Sequence, residues 1–110
     1  MTHHRIPCAA LAAALLAGTA GLAAAQDGQA QLRLRSLAAT CANCHGTDGR
    51  AIEGSAVPGL AGMPAGYFVE QMKAFQSGAR QATVMHQLAK GFNEAQIQQL
   101  AGYFAARPRN

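Results

Sequence analysis

A C-x-x-C-H run, Cys41-Ala-Asn-Cys44-His45, constrains this chain more than any other feature of its sequence. Two thiols at this spacing, followed at once by an imidazole, form the pattern by which a c-type haem is attached to a protein. On the last turn of a helix both cysteines reach one edge of the porphyrin, and the histidine supplies a nitrogen ligand to the iron. The motif therefore predicts one covalent haem c, with Cys41 and Cys44 as thioether attachment points and His45 as an axial ligand.

Two other uses of a C-x-x-C pair agree less well with the sequence. A thioredoxin-like dithiol is expected near a β-α-β pattern, and no strand-like alternation surrounds this pair. A structural zinc site needs four ligands, commonly from two such pairs. The only other cysteine, Cys8, lies near the N-terminus. Haem attachment is therefore the preferred interpretation.

Residues 1–25 have the features of a secretory signal peptide. The charged start His3-His4-Arg5 is followed by an alanine- and leucine-rich run that ends in Leu22-Ala-Ala-Ala25, which is typical of a cleavable signal. An uncleaved membrane anchor is the alternative, because the apolar run approaches the roughly 20 residues that a spanning helix needs. We expect cleavage after Ala25, a haem domain over residues 26–110, and a periplasmic protein without a membrane anchor.

Composition restricts the class of protein further. The formal net charge is +4, but no block of Lys and Arg and no ladder of aromatic residues indicates nucleic-acid binding. A domain of this size buries only about 60% of the surface of its unfolded chain and is marginally stable alone. We expect the haem to complete the core, so that the haem-free chain is poorly folded.

Helical periodicity predicts an all-α fold with about four helices and no strand. Asn93 and Gln96 form a capping-box pattern at the start of the last helix, with Phe92 and Ile97 at the staple positions. Gly78 is the expected end of the second helix. The predicted segments run from about residue 30 to Cys44, from Pro64 to Gly78, from Ala82 to Lys90, and from Asn93 to a point before Pro108.

A glycine-rich loop over Gly46–Met63 separates the first two predicted helices and is long enough to wrap one edge of a haem. An axial histidine normally donates its second ring N–H to a carbonyl or carboxylate. The carbonyl of Pro58 is our candidate acceptor for His45, the alternative being an ordinary turn proline. Arg80, just after the helix stop at Gly78, is a candidate partner for a haem propionate, because guanidinium pairs with carboxylate in a bidentate manner. The alternative is a solvated surface charge.

The second axial ligand is sought among the methionines that follow the motif. Met72 belongs to an apolar helix stripe and is expected in the core. Met85, forty residues after His45, lies on a short segment before the final helix and is the preferred ligand. Met63 and His86 are the alternatives. Met/His ligation raises the reduction potential of a haem.

The chain resembles class I c-type cytochromes, in particular the cytochrome c4-like domain of the cytochrome subunit of flavocytochrome c sulfide dehydrogenases. The resemblance is carried by five stretches, namely Cys41–Gly49, Pro58–Gly62, Tyr67–Arg80, Thr83–Met85 and Ala89–Ile97. It implies a small class I cytochrome c fold, about four helices wrapped around one covalently bound haem. In such domains the methionine at the position of Met85 is the distal ligand, and the proline at the position of Pro58 offers its carbonyl to the haem histidine.

The sequence departs from this pattern in two places. Many class I cytochromes have glycine eight residues before the first haem cysteine, where the first and last helices cross, and this chain has Arg33. Some cytochrome subunits of the resembled family have two such domains, whereas this sequence contains one C-x-x-C-H run.

With both axial positions filled by protein, the expected function is single-electron transfer, without catalysis by this chain alone. The resemblance implies that a flavoprotein (FAD) sulfide dehydrogenase passes electrons to this haem, which passes them to other periplasmic redox proteins. A free-standing cytochrome c4/c5-like shuttle is the alternative, and a haem enzyme or gas sensor with an open distal site is a third. A permanent partner predicts an exposed apolar patch near the haem edge, for which the candidates are Ala51, Ile52, Val57, Leu60 and Met63.

Overall fold

The structure is a computed structural model that describes residues 8–109, with side chains described from residue 24 onward. The charged start of the predicted signal peptide, His3-His4-Arg5, lies outside these residues. The chain divides into two compact units between Arg33 and Leu34. Among the described residues the first unit is helical throughout, and the second unit contains the C-x-x-C-H motif.

All regular structure in residues 8–109 is helical, so the prediction of an all-α fold with four α-helices is confirmed. Two short 3-10 turns follow the first and third helices, at Thr47–Gly49 and Ala89–Gly91. The helices are α1 (Cys8–His45), α2 (Ala65–Ser77), α3 (Met85–Leu88) and α4 (Glu94–Ala105).

Helix α1 begins well before the predicted start near residue 30. Its apolar stripe only becomes regular from Leu32, but the preceding residues are rich in Ala, Leu and Gln, which favour a helix without any buried face. No proline interrupts the sequence between Pro7 and Pro58. None of the helices in the described part of the chain is long and apolar enough to cross a membrane. Cleavage after Ala25 stays a prediction.

Helices α2 and α3 also differ slightly from their predicted bounds. Pro64 is the N-cap residue of α2 and not its first residue, whereas Gly78 ends α2 in a left-handed conformation with φ of 78°, as predicted. Helix α3 is shorter than the predicted segment, because Thr83 and Val84 remain outside it. Both are β-branched, which lowers their helix propensity.

Helix α4 starts with the predicted capping box. The backbone N–H of Gln96 donates to Asn93 Oδ1 and the backbone N–H of Asn93 donates to Gln96 Oε1, both at 2.9 Å. These two bonds satisfy N–H groups that a helix start otherwise leaves without partners. Ile97, at the staple position, is almost fully buried, and Phe92 packs against the same core.

The core of the second unit lies mainly between α2 and α4. The rings of Phe68 and Phe104 are 5.7 Å apart between centroids. Ala38 is the residue of α1 that is buried in this core, whereas Arg33 is exposed. The other buried apolar residues are Leu60, Met72, Ala89, Ile97, Leu100, Ala101 and Tyr103.

Candidate haem-binding site

A cavity of about 490 Å³ opens in the second unit between the end of α1, the following loop, α2 and the segment around α3. This volume lies within the range of roughly 300–1,000 Å³ that small-molecule and cofactor sites occupy. The cavity brings together residues from distant parts of the sequence. Its lining includes Cys41, Cys44, His45, Val57, Pro58, Met63, Phe68, Met72, Phe75, Arg80, Met85 and Leu88.

The two motif cysteines are free thiols at the rim and wall of this cavity. Cys41 is half-buried and Cys44 is exposed. Burial raises the pKa of the Cys41 thiol above its ordinary value, and the neighbouring Thr40 hydroxyl, 4.0 Å from Cys41 Sγ, opposes this shift only partly. A reactive redox dithiol needs a lowered pKa, so the environment of Cys41 does not favour that alternative. Within the described residues no three His, Cys, Asp or Glu side chains cluster as a zinc site requires.

His45 is held by one hydrogen bond to the loop. Its Nδ1 atom lies 2.7 Å from the carbonyl oxygen of Pro58, and the residue is only 9% exposed. Because a carbonyl oxygen can only accept, the ring proton is on Nδ1. The other nitrogen, Nε2, therefore keeps its lone pair and is suited to bind a metal.

Gly49 explains how the loop places Pro58 beside His45. The Gly49 carbonyl accepts the backbone N–H groups of Leu60 at 2.7 Å and Ala61 at 3.0 Å, which folds the second half of the loop back onto the first. Gly49 has a φ of +77°, and a Cβ atom at this position would lie 2.8 Å from both Ala61 N and Leu60 Cβ. A larger residue at position 49 would therefore displace the segment that carries Pro58.

Three methionines line the cavity, namely Met63, Met72 and Met85. Met72 is also part of the buried α2 stripe, with 5% exposure. Met85 is the first residue of α3. His86 follows directly but is not part of the cavity lining, because successive helical side chains point about 100° apart. Met85 and Met63 are therefore the two cavity thioethers that do not belong to the buried stripe of α2.

Arg80 brings a positive charge to a cavity whose lining is otherwise mostly apolar. Its guanidinium donates a hydrogen bond to the side-chain oxygen of Gln71 and lies 4.8 Å above the ring of Phe75. Both contacts hold the guanidinium against α2 at the cavity wall. Sequence analysis missed Gln71, because nothing in its spacing distinguishes it from any other polar residue on a helix.

Sequence analysis also missed a contact between Asp48 and Tyr103. The Tyr103 hydroxyl donates to Asp48 Oδ1 and joins the turn that follows the C-x-x-C-H motif to helix α4. Asp48 has a φ of 55°, a left-handed conformation that Asp tolerates better than most residues. The Arg107 guanidinium lies 4.0 Å from the centroid of the Tyr103 ring.

The residues of this cavity fit a haem c. It offers two free thiols next to an imidazole whose Nε2 is available, a thioether from a separate segment, and largely apolar walls. Cys41 and Cys44 would hold the group by thioether bonds, and His45 would hold its iron. The role of Arg80, which also lines the cavity, as a partner for a haem propionate stays a prediction.

Comparisons with known proteins identify the family of the chain. The sequence profile of the family described as "Cytochrome c" matches residues 33–106. The chain is 34% identical over 102 residues to a thiosulfate dehydrogenase electron acceptor of Stutzerimonas stutzeri, covering 93% of this chain and 47% of that protein. It is 38% identical over 68 residues to the cytochrome subunit of sulfide dehydrogenase of Chlorobaculum tepidum, covering 62% of this chain and 60% of that protein.

The fold agrees as well. A solved structure of cytochrome c4 from Acidithiobacillus ferrooxidans matches 60% of this chain and 37% of that chain, with a TM-score of 0.56 and 38% sequence identity. The chain spans about half, or less, of the first two relatives that it matches, at 47% and 31% of their lengths. From the profile match, the relatives and the donor set, the chain belongs to the cytochrome c family, with a class I fold, covalently bound haem c and a role in electron transfer.

Proposed function

We propose that this chain carries single electrons in the periplasm from a dehydrogenase that oxidises a reduced sulfur compound, with His45 and Met85 as its two iron ligands. The observation that carries the proposal is the presence of the His45 imidazole and the Met85 thioether in one cavity with both motif cysteines. The predicted signal peptide supports the periplasmic location.

The protein residues act by holding the iron-binding side chains in a fixed orientation. When bound, haem c supplies an iron that changes its oxidation state by one electron. The Pro58 carbonyl fixes the tautomer of His45 and the orientation of its ring. With Met85 as second ligand, no position on the metal is left open for a substrate, which is the property of a carrier and not of a haem enzyme or gas sensor.

Two matched substitutions test the ligand assignment. Met85→Leu and Met63→Leu each remove a thioether and nearly conserve side-chain volume. We expect Met85→Leu to abolish the near-infrared Met–iron charge-transfer band of the oxidised protein, to lower its reduction potential and to admit carbon monoxide to the reduced iron. Met63→Leu should keep the band.

The opposite result, a band that survives in Met85→Leu and disappears in Met63→Leu, would assign the ligand to Met63. Rapid binding of carbon monoxide by the unaltered reduced protein would instead favour a sensor or enzyme with an open distal site.

The names of the relatives support a donor that oxidises sulfur compounds. One relative is named as an electron acceptor of thiosulfate dehydrogenase and another as the cytochrome subunit of sulfide dehydrogenase. A flavoprotein sulfide dehydrogenase and a thiosulfate dehydrogenase are therefore the two candidate donors.

The loop beside the cavity does not present the apolar patch that a permanent partner predicts. Of the five residues expected to form an apolar patch, Leu60 is buried in the core at 8% exposure, and only Ile52, at 82%, is a large exposed hydrophobic residue. Ala51, Val57 and Met63 are half-buried. The expected patch is reduced to Ile52, because Leu60 is buried in the core and Val57 and Met63 line the cavity.

Purification of the native protein from its source under mild conditions tests the donor. We expect the haem absorption to elute without stoichiometric flavin and to be reduced when sulfide or thiosulfate is added together with the soluble fraction that contains the matching dehydrogenase. Co-elution with flavin and direct reduction by sulfide would identify a permanent flavoprotein partner instead. Reduction by neither compound would overturn a sulfur-oxidising donor.

A further inference from the structure

The side chain of Gln76 makes two hydrogen bonds to the segment that follows α3. Its Nε2 amide donates to the backbone carbonyl oxygens of Ala89 and Phe92, both at 2.9 Å. Gln76 lies on the last turn of α2, and the two carbonyls lie at the junction between α3 and α4. One amide group therefore ties α2 to the end of the segment that begins with Met85.

This segment is short and needs support from its neighbours. Helix α3 contains only four residues, Met85–Leu88, and isolated helices much longer than this are already marginal in water. Met85 packs against the core and α3 contacts α2, but Val84 and Leu88 are about half exposed, at 51% and 52%. The contacts made after α3 therefore add to this packing in fixing the position of Met85.

Those contacts converge on Ala89 and Phe92. Ala89 is completely buried, and Phe92 packs against the core. Their carbonyl groups face the half-buried amide of Gln76. Without that donor, the Phe92 carbonyl loses its described side-chain partner, and a carbonyl that is partly shielded from water and lacks a partner is costly.

We propose that Gln76 is the positioning residue for Met85, holding the α3 segment so that the thioether stays in the cavity. The proposal rests on Met85 as the second iron ligand. Gln76 is not part of the cavity lining, and it acts by keeping the segment from moving away. Its loss should increase the fraction of protein in which Met85 is detached.

The test uses the haem-loaded protein with Gln76→Glu and Gln76→Leu. The carboxylate of the first is isosteric with the amide but cannot donate when ionised, and it faces two carbonyl oxygens. The second removes both hydrogen bonds without adding charge. Gln87→Glu is the matched control, because Gln87 is exposed on α3 and this substitution adds the same charge near Met85 without removing either hydrogen bond of Gln76.

The readouts are the near-infrared Met–iron band and the apparent affinity of the oxidised protein for imidazole, which competes for the position of Met85. In both Gln76 variants we expect a weaker band and imidazole binding about tenfold tighter or more, because the apparent affinity follows the fraction of protein with Met85 detached. Gln87→Glu should match the unaltered protein. Far-UV circular dichroism of each variant separates this effect from general unfolding.

Two results overturn the proposal, and they are distinguishable. A Met–iron band that Met85→Leu abolishes but both Gln76 variants leave unchanged, together with unchanged imidazole affinity, would keep Met85 as ligand and reject Gln76 as its positioning residue. A band absent from the unaltered protein would reject the ligand assignment itself, and the role of Gln76 with it.

Discussion

The hydroxyl of Tyr103 joins helix α4 to the turn that follows the haem-attachment motif. It donates to the carboxylate of Asp48, and this hydrogen bond is the main reason that the pKa of Asp48 lies below its ordinary value of 3.8. The arginines Arg107, Arg50 and Arg35 lower the pKa further. The same hydrogen bond, followed by partial burial, raises the pKa of Tyr103 above 10.0.

These shifts predict a pH dependence of stability. A lowered pKa of Asp48 stabilises the fold above pH 3.8, and this stabilisation is lost as the pH falls through the lower value in the folded protein. A raised pKa of Tyr103 stabilises the fold below pH 10.0 and is lost as the pH rises through the higher value. Tyr103→Phe should lower the melting temperature at neutral pH. It should also weaken the fall of the melting temperature with pH at both the acid and the alkaline end.

Thermal unfolding of the haem-loaded protein at a series of pH values checks this expectation. Tyr67→Phe is the control. Tyr67 is about half exposed, at 48%, and the substitution removes a phenol hydroxyl that does not bond to Asp48. If the melting temperatures of Tyr103→Phe and the unaltered protein differ by a constant amount from pH 2 to 7, the link between Asp48 and Tyr103 does not control the acid slope.

Among the four helices, α4 is the one whose start is most clearly determined by the residues next to it in the sequence. Asn93 caps the helix with both bonds of a capping box, and the helix carries five buried residues of the core. Asn93→Ala should lower the free energy of unfolding by about 1 kcal/mol, within a range of roughly 0.5–2. Denaturant unfolding should show a lower midpoint with an unchanged slope.

Gln98→Ala is the control for Asn93→Ala, because Gln98 is exposed within the same helix and alanine is a good helix former. A loss of stability no larger in Asn93→Ala than in Gln98→Ala would mean that the cap does not contribute.

The elements that could be predicted from sequence are those whose signals are local. The capping box before α4 and the left-handed Gly78 after α2 depend on neighbouring residues only, and both are found in the structure. The start of α1 was missed because an alanine-rich helix forms without an apolar face. The predicted start of α3 at Ala82 was too early, because the β-branched Thr83 and Val84 remain outside the helix.

The same distinction applies to the site. The C-x-x-C-H motif is local, and it predicts Cys41, Cys44 and His45 as haem-binding residues without any knowledge of the fold. The hydrogen bonds from Gln76 to Ala89 and from Tyr103 to Asp48 join residues 13 and 55 positions apart. Such single polar contacts leave no periodic signal in one sequence, so they become visible only in the folded chain.

For the whole molecule, the size of the cavity decides how the chain behaves without haem. A cavity of about 490 Å³ lined mostly by apolar side chains leaves these walls in contact with water when no haem covers them. Burial of apolar surface is worth roughly 25 cal/mol per Å², and the total stability of a typical domain is only about 5–15 kcal/mol. We expect the second unit to lose much of its stability when the haem is missing.

We therefore expect the variant with Cys41→Ala and Cys44→Ala, produced without attached haem, to lose cooperative thermal unfolding and most of the dispersion of its NMR spectrum. The loss follows from the apolar walls, since the cavity lining includes Tyr67, Val84 and Leu88, which are about half exposed and would face water. The haem-loaded protein, measured under the same conditions, is the reference for native helix content. A haem-free chain with a well-dispersed spectrum and a single sharp melting transition would mean that packing between α2 and α4 alone specifies the fold.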